Sequence, residues 1–465
     1  MILFFYIAVA ALFMLMTGFR LFAEGMFVDG VTYASISRNL ANGLGSFWEP
    51  HLSATLYPQF HEHPPLALGL QGLAFRMFGD SPLVERFYSL AAFLITGYLI
   101  VLIWEEVTGE KKSGWIPLLF WILFPLVSWA AASNLLDNTL GIFTTLAILF
   151  VLKSSSQKNS VYLVIAGFSL FAGLLTKGPF ALFPWILPFL WEFTLPAFIP
   201  KKVITRTLIL VFSTLIPLII LITFSIDARE SLHAYWINQV VDSLAGMKTV
   251  PSRFYILGTL LSQLILPVLT ACAIALIFRH PINKEKFRKY IKPSILFMLI
   301  GLCGVLPIMI SMKQRSFYIL VALPMFALMI ALLVWALMQD LLIRLNSRQP
   351  GAGVFRYATA MIFVVSLIIP PVLAQYSRRD QKELAMIHDF SVVIPKGSTI
   401  HINPLLFTDW SLHSYFARHS GISLDPSENP SACFYLVKDT ELPRDSIPAH
   451  WSRIRQKNGF VLFKK

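Results

Sequence analysis

Apolar runs of 18 or more residues recur along this chain. A run of that length can cross the hydrocarbon core of a bilayer as one helix, and in lipid only helices and closed barrels satisfy their own backbone polar groups. About eleven spans are predicted, near 2–22, 87–104, 115–132, 139–153, 161–176, 180–198, 207–226, 255–278, 293–311, 318–340 and 355–374. Only 14% of the residues are charged, against roughly 25% in soluble globular chains. That deficit excludes a soluble enzyme with a large core. Residues 2–17 lack a basic leading region and a clear small-residue cleavage site. The first run therefore reads as an uncleaved helix, with a signal peptide as the weaker alternative. Cys272, Cys303 and Cys433 lie too far apart for a disulfide framework or a paired-cysteine metal site.

The net charge of +13 would suit nucleic acid, but its placement argues against that partner. One set of short loops holds 16 basic residues: Lys111, Lys112, Lys153, Lys158, Lys201, Lys202, Arg206, Arg279, Lys284, Lys286, Arg288, Lys289, Lys292, Arg344, Arg348 and Arg356. Lys and Arg in short loops mark the cytoplasmic side. The long first loop (23–86), the turns at Ser133–Asn138, Thr176–Pro179 and Met312–Phe317, the loop 227–254 and the tail are then extracytoplasmic. The division expected is a membrane domain over 1–374 and a small soluble α/β domain over 375–465. In that tail Arg378–Asp389 and Thr408–His419 read as helices, and Ser398–Ile402, Cys433–Val437 and Phe460–Phe463 as strands.

The outer set of loops carries the chemistry. Asp29 follows the first span almost at once. Tyr33, Ile36 and Leu40 then suggest a short amphipathic helix in the membrane interface. Taken alone, Asp29 could be a helix cap or a solvated loop acid. His61-Glu62-His63-Pro64-Pro65 is a stiff turn with three titratable groups, and it lacks the helical spacing of a zinc motif. Asp137 lies beside Asn134 and Asn138 at an outer turn. It is either a turn residue or one of the functional acids expected in apolar surroundings. Lys177, before Gly178-Pro179, can meet an anionic headgroup or simply snorkel to the interface. Lys313 and Arg315 occupy a tight outer turn where basic residues are disfavoured. His233, Tyr235, Trp236 and Asn238 are candidate sugar or headgroup contacts. Acids suit a general base for a hydroxyl, and cations suit a phosphate leaving group.

The run Asp29-Gly30, Tyr33-Ala34, Ile36-Ser37-Arg38-Asn39-Leu40, followed by Glu62-His63-Pro64-Pro65-Leu66, resembles the first outer loop of the protein O-mannosyltransferase and aminoarabinose transferase superfamily. These are GT-C glycosyltransferases that use polyprenyl-phosphate sugars. Phe75-Arg76-Met77-Phe78-Gly79-Asp80-Ser81 with Glu85-Arg86 is similar to the link into its second span. Asp137, Leu175-Thr176-Lys177-Gly178-Pro179 and Lys313-Gln314-Arg315-Ser316-Phe317-Tyr318 match later positions, so the likeness runs over about 20–330. It implies an all-α polytopic GT-C fold of about 11–13 spans with a small C-terminal α/β domain. Asp29 would be the base on the acceptor side. Glu62 and Asp137 would be further catalytic acids. Lys177, Lys313 and Arg315 would bind the donor phosphate. Tyr33, Arg38, His61, His63 and His233 would contact substrate. No cofactor is required, though Glu62 and His233 could hold a divalent ion. The family's common Asp-Glu pair is Asp29-Gly30 here, which leaves the second acid's task open.

The expected function is an inverting transfer of a hexose or pentose from a polyprenyl phosphate, undecaprenyl phosphate in a bacterial inner membrane, to a lipid, glycan or protein hydroxyl. A transporter or flippase of lipid-linked sugar is the alternative. It is disfavoured because the polar residues gather at one face and no internal repeat is visible.

Overall fold

The structure, a computed structural model, describes residues 1–194, 198–277, 284–344, 352–377, 379–427, 432–441 and 451–465. Arg279, Arg348, Arg378, residues 195–197 of the span expected at 180–198 and residue 278 of that expected at 255–278 lie outside them. The helices are α1 (Ile2–Phe22), α2 (Val28–Ala41), α3 (Leu66–Phe78), α4 (Pro82–Thr108), α5 (Trp115–Ile122), α6 (Pro125–Ala130), α7 (Leu136–Ser156), α8 (Val161–Lys177), α9 (Leu187–Thr194) and α10 (Pro200–Phe224). There follow α11 (Ile226–Tyr235), α12 (Asp242–Ala245), α13 (Tyr255–Ile277), α14 (Lys284–Val305), α15 (Leu323–Arg344), α16 (Ala352–Ala374), α17 (Gln381–Ser391) and α18 (Trp410–Ser420).

Among the described residues, nine helical stretches are long and apolar enough to cross a membrane. The protein is an integral membrane protein. One of the eleven expected spans takes another form, and two are joined in a single long stretch. The run 115–132 breaks into α5 and α6 at Leu123–Phe124, just before Pro125, where proline cannot continue the helical bonding. It still follows α1 in depth: Trp115 stacks on Phe5, and Thr17 donates to the Ser128 carbonyl. The stretch Val161–Thr194 counts as one by length, yet it is a hairpin. A Cβ on Gly173 would lie 2.8 Å from that of Ala181, so the chain folds back at Gly178. Gly178 has φ +68, and any side chain there would strike the Tyr235 hydroxyl. Glycine is the residue that tolerates both.

The C-terminal domain is a five-stranded sheet in the order β2-β1-β3-β5-β4, with α17 and α18 in the same chain segment. The strands are β1 (Thr399–Ile402), β2 (Ser423–Asp425), β3 (Phe434–Lys438), β4 (Ser452–Lys457) and β5 (Phe460–Lys464). β1 pairs in parallel with β2 and β3, while β5 is antiparallel to β3 and β4. β4, Ser-Arg-Ile-Arg-Gln-Lys, has no buried face. A charged edge strand of this kind resists further pairing and gives no alternating signal in sequence.

The largest departure from expectation is α2. Every residue from Gly30 to Asn39 is buried, so α2 is enclosed by protein instead of presenting a polar face to water. The C-terminal domain covers its polar side. The Thr32 and Ser414 hydroxyls bond at 2.7 Å, and Ser35 donates to the Ser414 carbonyl. Arg38 donates to the carbonyls of Arg418 and Ala417. On the other side, the Ser133 carbonyl lies 2.1 Å from where a Gly30 Cβ would stand, and Asn134 donates to the Gly30 carbonyl. This contact explains the missing second acid of the Asp-Glu pair: no side chain fits at position 30. Gly30→Ala is expected to push α2 off the Ser133 turn and lower the midpoint of thermal unfolding. An unchanged midpoint in a thermal scan of the variant would show that the turn yields freely.

Candidate active site

Five segments far apart in sequence meet at the end of the bundle that carries the C-terminal domain. The first turn of α2 brings Asp29. The turn before α3 brings Glu62 and His63. The ends of α7 and α8 bring Asp137 and Lys177. The turn before residues 316–322 brings Lys313 and Arg315.

Asp137 and Lys177, 40 positions apart, form an ion pair at 2.5 Å with side chains 3% and 5% exposed. The Lys177 ammonium also sits 5.2 Å from the centre of the Phe317 ring and 5.0 Å from that of Tyr318. A cation is attracted to such ring faces. A buried charge needs partners of this sort, so snorkelling to the interface does not describe Lys177.

Asp29 is partly buried at the first turn of α2. Burial raises its carboxyl above the ordinary 3.8, against the opposing pull of Lys177 and Arg315, while Glu62 and Asp137 add to the rise. Glu62 accepts a 2.5 Å hydrogen bond from the Tyr57 hydroxyl, which leans on Trp410 at the start of α18. Burial and that bond push the Tyr57 hydroxyl upward. His63 packs edge-on to Tyr33, and its Nδ1 has no hydrogen-bond partner. Burial, then Lys177 and Lys313, hold its imidazole well below the usual value, so it is neutral.

The late basic turn is pinned from within. Buried Gln314 donates to the carbonyls of Arg253 and Ser311 and accepts from the Ile256 N–H. Lys313 and Arg315 are thereby fixed on either side of it. Lys313 donates at 2.7 Å to Gln239, which lies on the π-helical turn Trp236–Val241. Turns of that kind are common at functional sites because they re-aim side chains. Arg315 is exposed.

Some of these groups line a cavity of about 520 Å³, while Asp29, Asp137 and Arg315 lie outside its lining. Glu62, His63, Lys177, Tyr235, Gln239 and Lys313 form its polar end. Phe183, Leu244, Cys303, Pro307 and Ile308 make the remainder apolar.

Other expected residues lie elsewhere or differently. Tyr33 is buried under His63 and Phe60. His61 bonds Ser231 of α11 at 3.3 Å. Arg38 serves the C-terminal domain, with its guanidinium on carbonyls of α18 rather than in the cavity. His233 is exposed, while the buried Ser231 and Tyr235 mark the opposite face of α11. The structure thus turns His233 from the face that meets His61. Glu62 and His233 form no cluster of three ligands among the described residues. Tyr57, Gln239 and the ring faces of Phe317 and Tyr318 were not singled out from sequence for these tasks. Only the π turn's placement reveals Gln239, whereas Tyr57 stands five residues before Glu62 in a loop without periodicity.

The family described as dolichyl-phosphate-mannose-protein mannosyltransferase matches residues 62–226. No curated protein matches the sequence. Among solved structures, ArnT from Cupriavidus metallidurans bound to undecaprenyl phosphate superposes with a TM-score of 0.67 at 14% identity, over 98% of this chain and 97% of that one. The chain therefore has the GT-C fold of ArnT, and its residues 62–226 resemble the mannosyltransferase family. The GT-C fold is also shared with the archaeal oligosaccharyltransferase AglB from Archaeoglobus fulgidus, in complex with an inhibitory peptide and a dolichol-phosphate. That match has a TM-score of 0.51 at 13% identity, over 94% of this chain and 69% of AglB. Along the chain, the family match begins at residue 62 and ends at residue 226, and so includes Glu62, Asp137 and Lys177, but not Asp29, Lys313 or Arg315.

Proposed function

We propose that the chain moves a sugar from a polyprenyl phosphate to an acceptor hydroxyl at the extracytoplasmic face of a bacterial inner membrane. The observation that carries this reading is the cavity with lysines at one end and apolar walls beyond. A phosphate attached to a long hydrocarbon has the same division. The ArnT structure, of the same fold, holds undecaprenyl phosphate.

In this reading Lys177, Lys313 and Arg315 receive the donor phosphate. The acceptor oxygen attacks the anomeric carbon from the side opposite the phosphate and inverts it. The carbon–oxygen bond to phosphate breaks, and polyprenyl phosphate leaves with the bonding electrons. Asp29 takes the acceptor's proton. A base works best with a pKa near the operating pH, and burial moves Asp29 toward that range. Developing charge on the leaving phosphate is met by fixed cations, which stabilise it without reorganisation. Neutral His63, with Nδ1 unpartnered, is a further donor or acceptor for the bound headgroup. Glu62, held by Tyr57, orients the acceptor. Asp137 holds Lys177 in place.

Binding of undecaprenyl phosphate tests the phosphate site. A hydrogen bond to a charged group contributes about 1.5–3 kcal/mol, so Lys313→Ala is expected to weaken binding by roughly 10- to 100-fold. Equal affinity of variant and wild type in a lipid-binding titration would remove Lys313 from the site.

A further inference from the structure

Outside the cavity, a second set of ligating side chains meets where the chain leaves α1. Glu24 precedes α2, His388 lies on α17 and His419 on α18. One ligand atom from each lies within 4.8 Å of the others, the sole such trio of His, Cys, Asp or Glu among the described residues. The proposed transfer uses none of them.

We propose that Glu24, His388 and His419 form a zinc-type divalent metal site that clasps the C-terminal domain to the start of the first loop. Two imidazole nitrogens and a carboxylate oxygen are a zinc donor set, with a fourth position left for water. At Zn–N distances of about 2.0–2.1 Å, tetrahedral ligand atoms stand about 3.3 Å apart. His388 Nε2 and Glu24 Oε1 are already in hydrogen-bond contact. The rings of His388 and His419 meet edge-on with centres 5.1 Å apart. Rotation of the two half-exposed side chains, Glu24 and His388, is enough to close the set around one ion.

The backbone that presents these ligands is held independently of any ion. Arg86 donates to the carbonyls of Ala23, Glu24 and Gly25. Tyr415, one turn before His419, accepts from the Met26 N–H at 2.8 Å. Ser420 bonds Ser391 at 2.6 Å and so ties α18 to α17. Preorganisation of this kind lowers the ordering cost of binding. The neighbouring Arg418 does not oppose a cation with its full charge, because Glu85 and Asp80 pair with it. The clasp would fix the segment that leads into the first turn of α2, and hence Asp29. It stands independently of the transferase reading.

The test uses the full chain in detergent, with its affinity tag removed and stripped with EDTA. Cobalt(II) chloride is titrated as a spectroscopic probe, and zinc chloride is followed by thermal unfolding. The expected result is one cobalt per chain with the visible absorption of a tetrahedral site, and a zinc-dependent rise in midpoint. Both are lost in Glu24→Gln and in His388→Gln, whose metal-free midpoints match wild type, and both are kept in Glu62→Gln. Absence of stoichiometric binding, or binding that survives Glu24→Gln and His388→Gln, overturns the site and leaves a plain carboxylate–imidazole contact. Loss in Glu62→Gln alone overturns it in favour of the cavity.

Discussion

Asp29→Asn is expected to lower sugar transfer by about 10²- to 10⁴-fold, the usual contribution of a positioned general base, without loss of donor binding. Its thermal midpoint at neutral pH should equal or exceed that of wild type. The reason is the direction of the pKa. Burial raises the Asp29 carboxyl above 3.8 in the folded chain, so the folded state holds that proton more tightly than the unfolded state. The stability gained from this is present at low pH and is lost as pH rises through the folded value. At neutral pH the ionised carboxylate is therefore a cost to the fold, and asparagine removes it. The acid limb of the wild-type rate profile should fall at a higher pH than an ordinary aspartate gives. Loss of transfer with a much lowered midpoint would make Asp29 a structural residue instead.

Arg418→Ala is expected to destabilise the protein by about 3–5 kcal/mol, the cost of leaving a buried charge without its partner. Arg418 bonds both oxygens of Glu85 at 3.0 Å, and the two side chains are 4% and 5% exposed. Asp80, the third member, is half exposed and adds little. Arg38 reinforces the junction by holding the carbonyls of Ala417 and Arg418. This cluster joins the C-terminal domain to the start of α4 and, through α2, to Asp29. Thermal unfolding of Arg418→Ala, Glu85→Gln and the double variant measures it. The double variant should recover much of the loss, because neither charge is then stranded. A single variant with the wild-type midpoint would show that solvent reaches Glu85.

Sequence was informative wherever the bilayer dictates the pattern. Span positions follow from apolar length, and the turns at Lys177-Gly178-Pro179 and Lys313-Gln314-Arg315 stood out because charge and helix breakers interrupt long apolar runs. The pairing of Lys177 with Asp137 did not, since 40 residues separate them and no periodicity links two helix ends. α2 misled for a definite reason. Thr32, Ser35 and Arg38 look like a solvent-facing side in sequence, yet a domain almost 400 residues later covers them. The resemblance implies Arg38 as a substrate contact, whereas its partners in the fold are backbone carbonyls, which carry no sequence signal. His233 looked placed for the site by loop position alone, and only the helical phase of α11 shows it turned away.

The most direct measurement is transfer itself, with the purified chain in lipid, a panel of radiolabelled polyprenyl-phosphate sugars and a membrane extract as acceptor. The expected result is label passing into a product with wild type and not with Asp29→Asn, with free polyprenyl phosphate released in step. Donors that bind and cross vesicles, while no label leaves the lipid under any acceptor tried, would contradict the transferase account and point to transport.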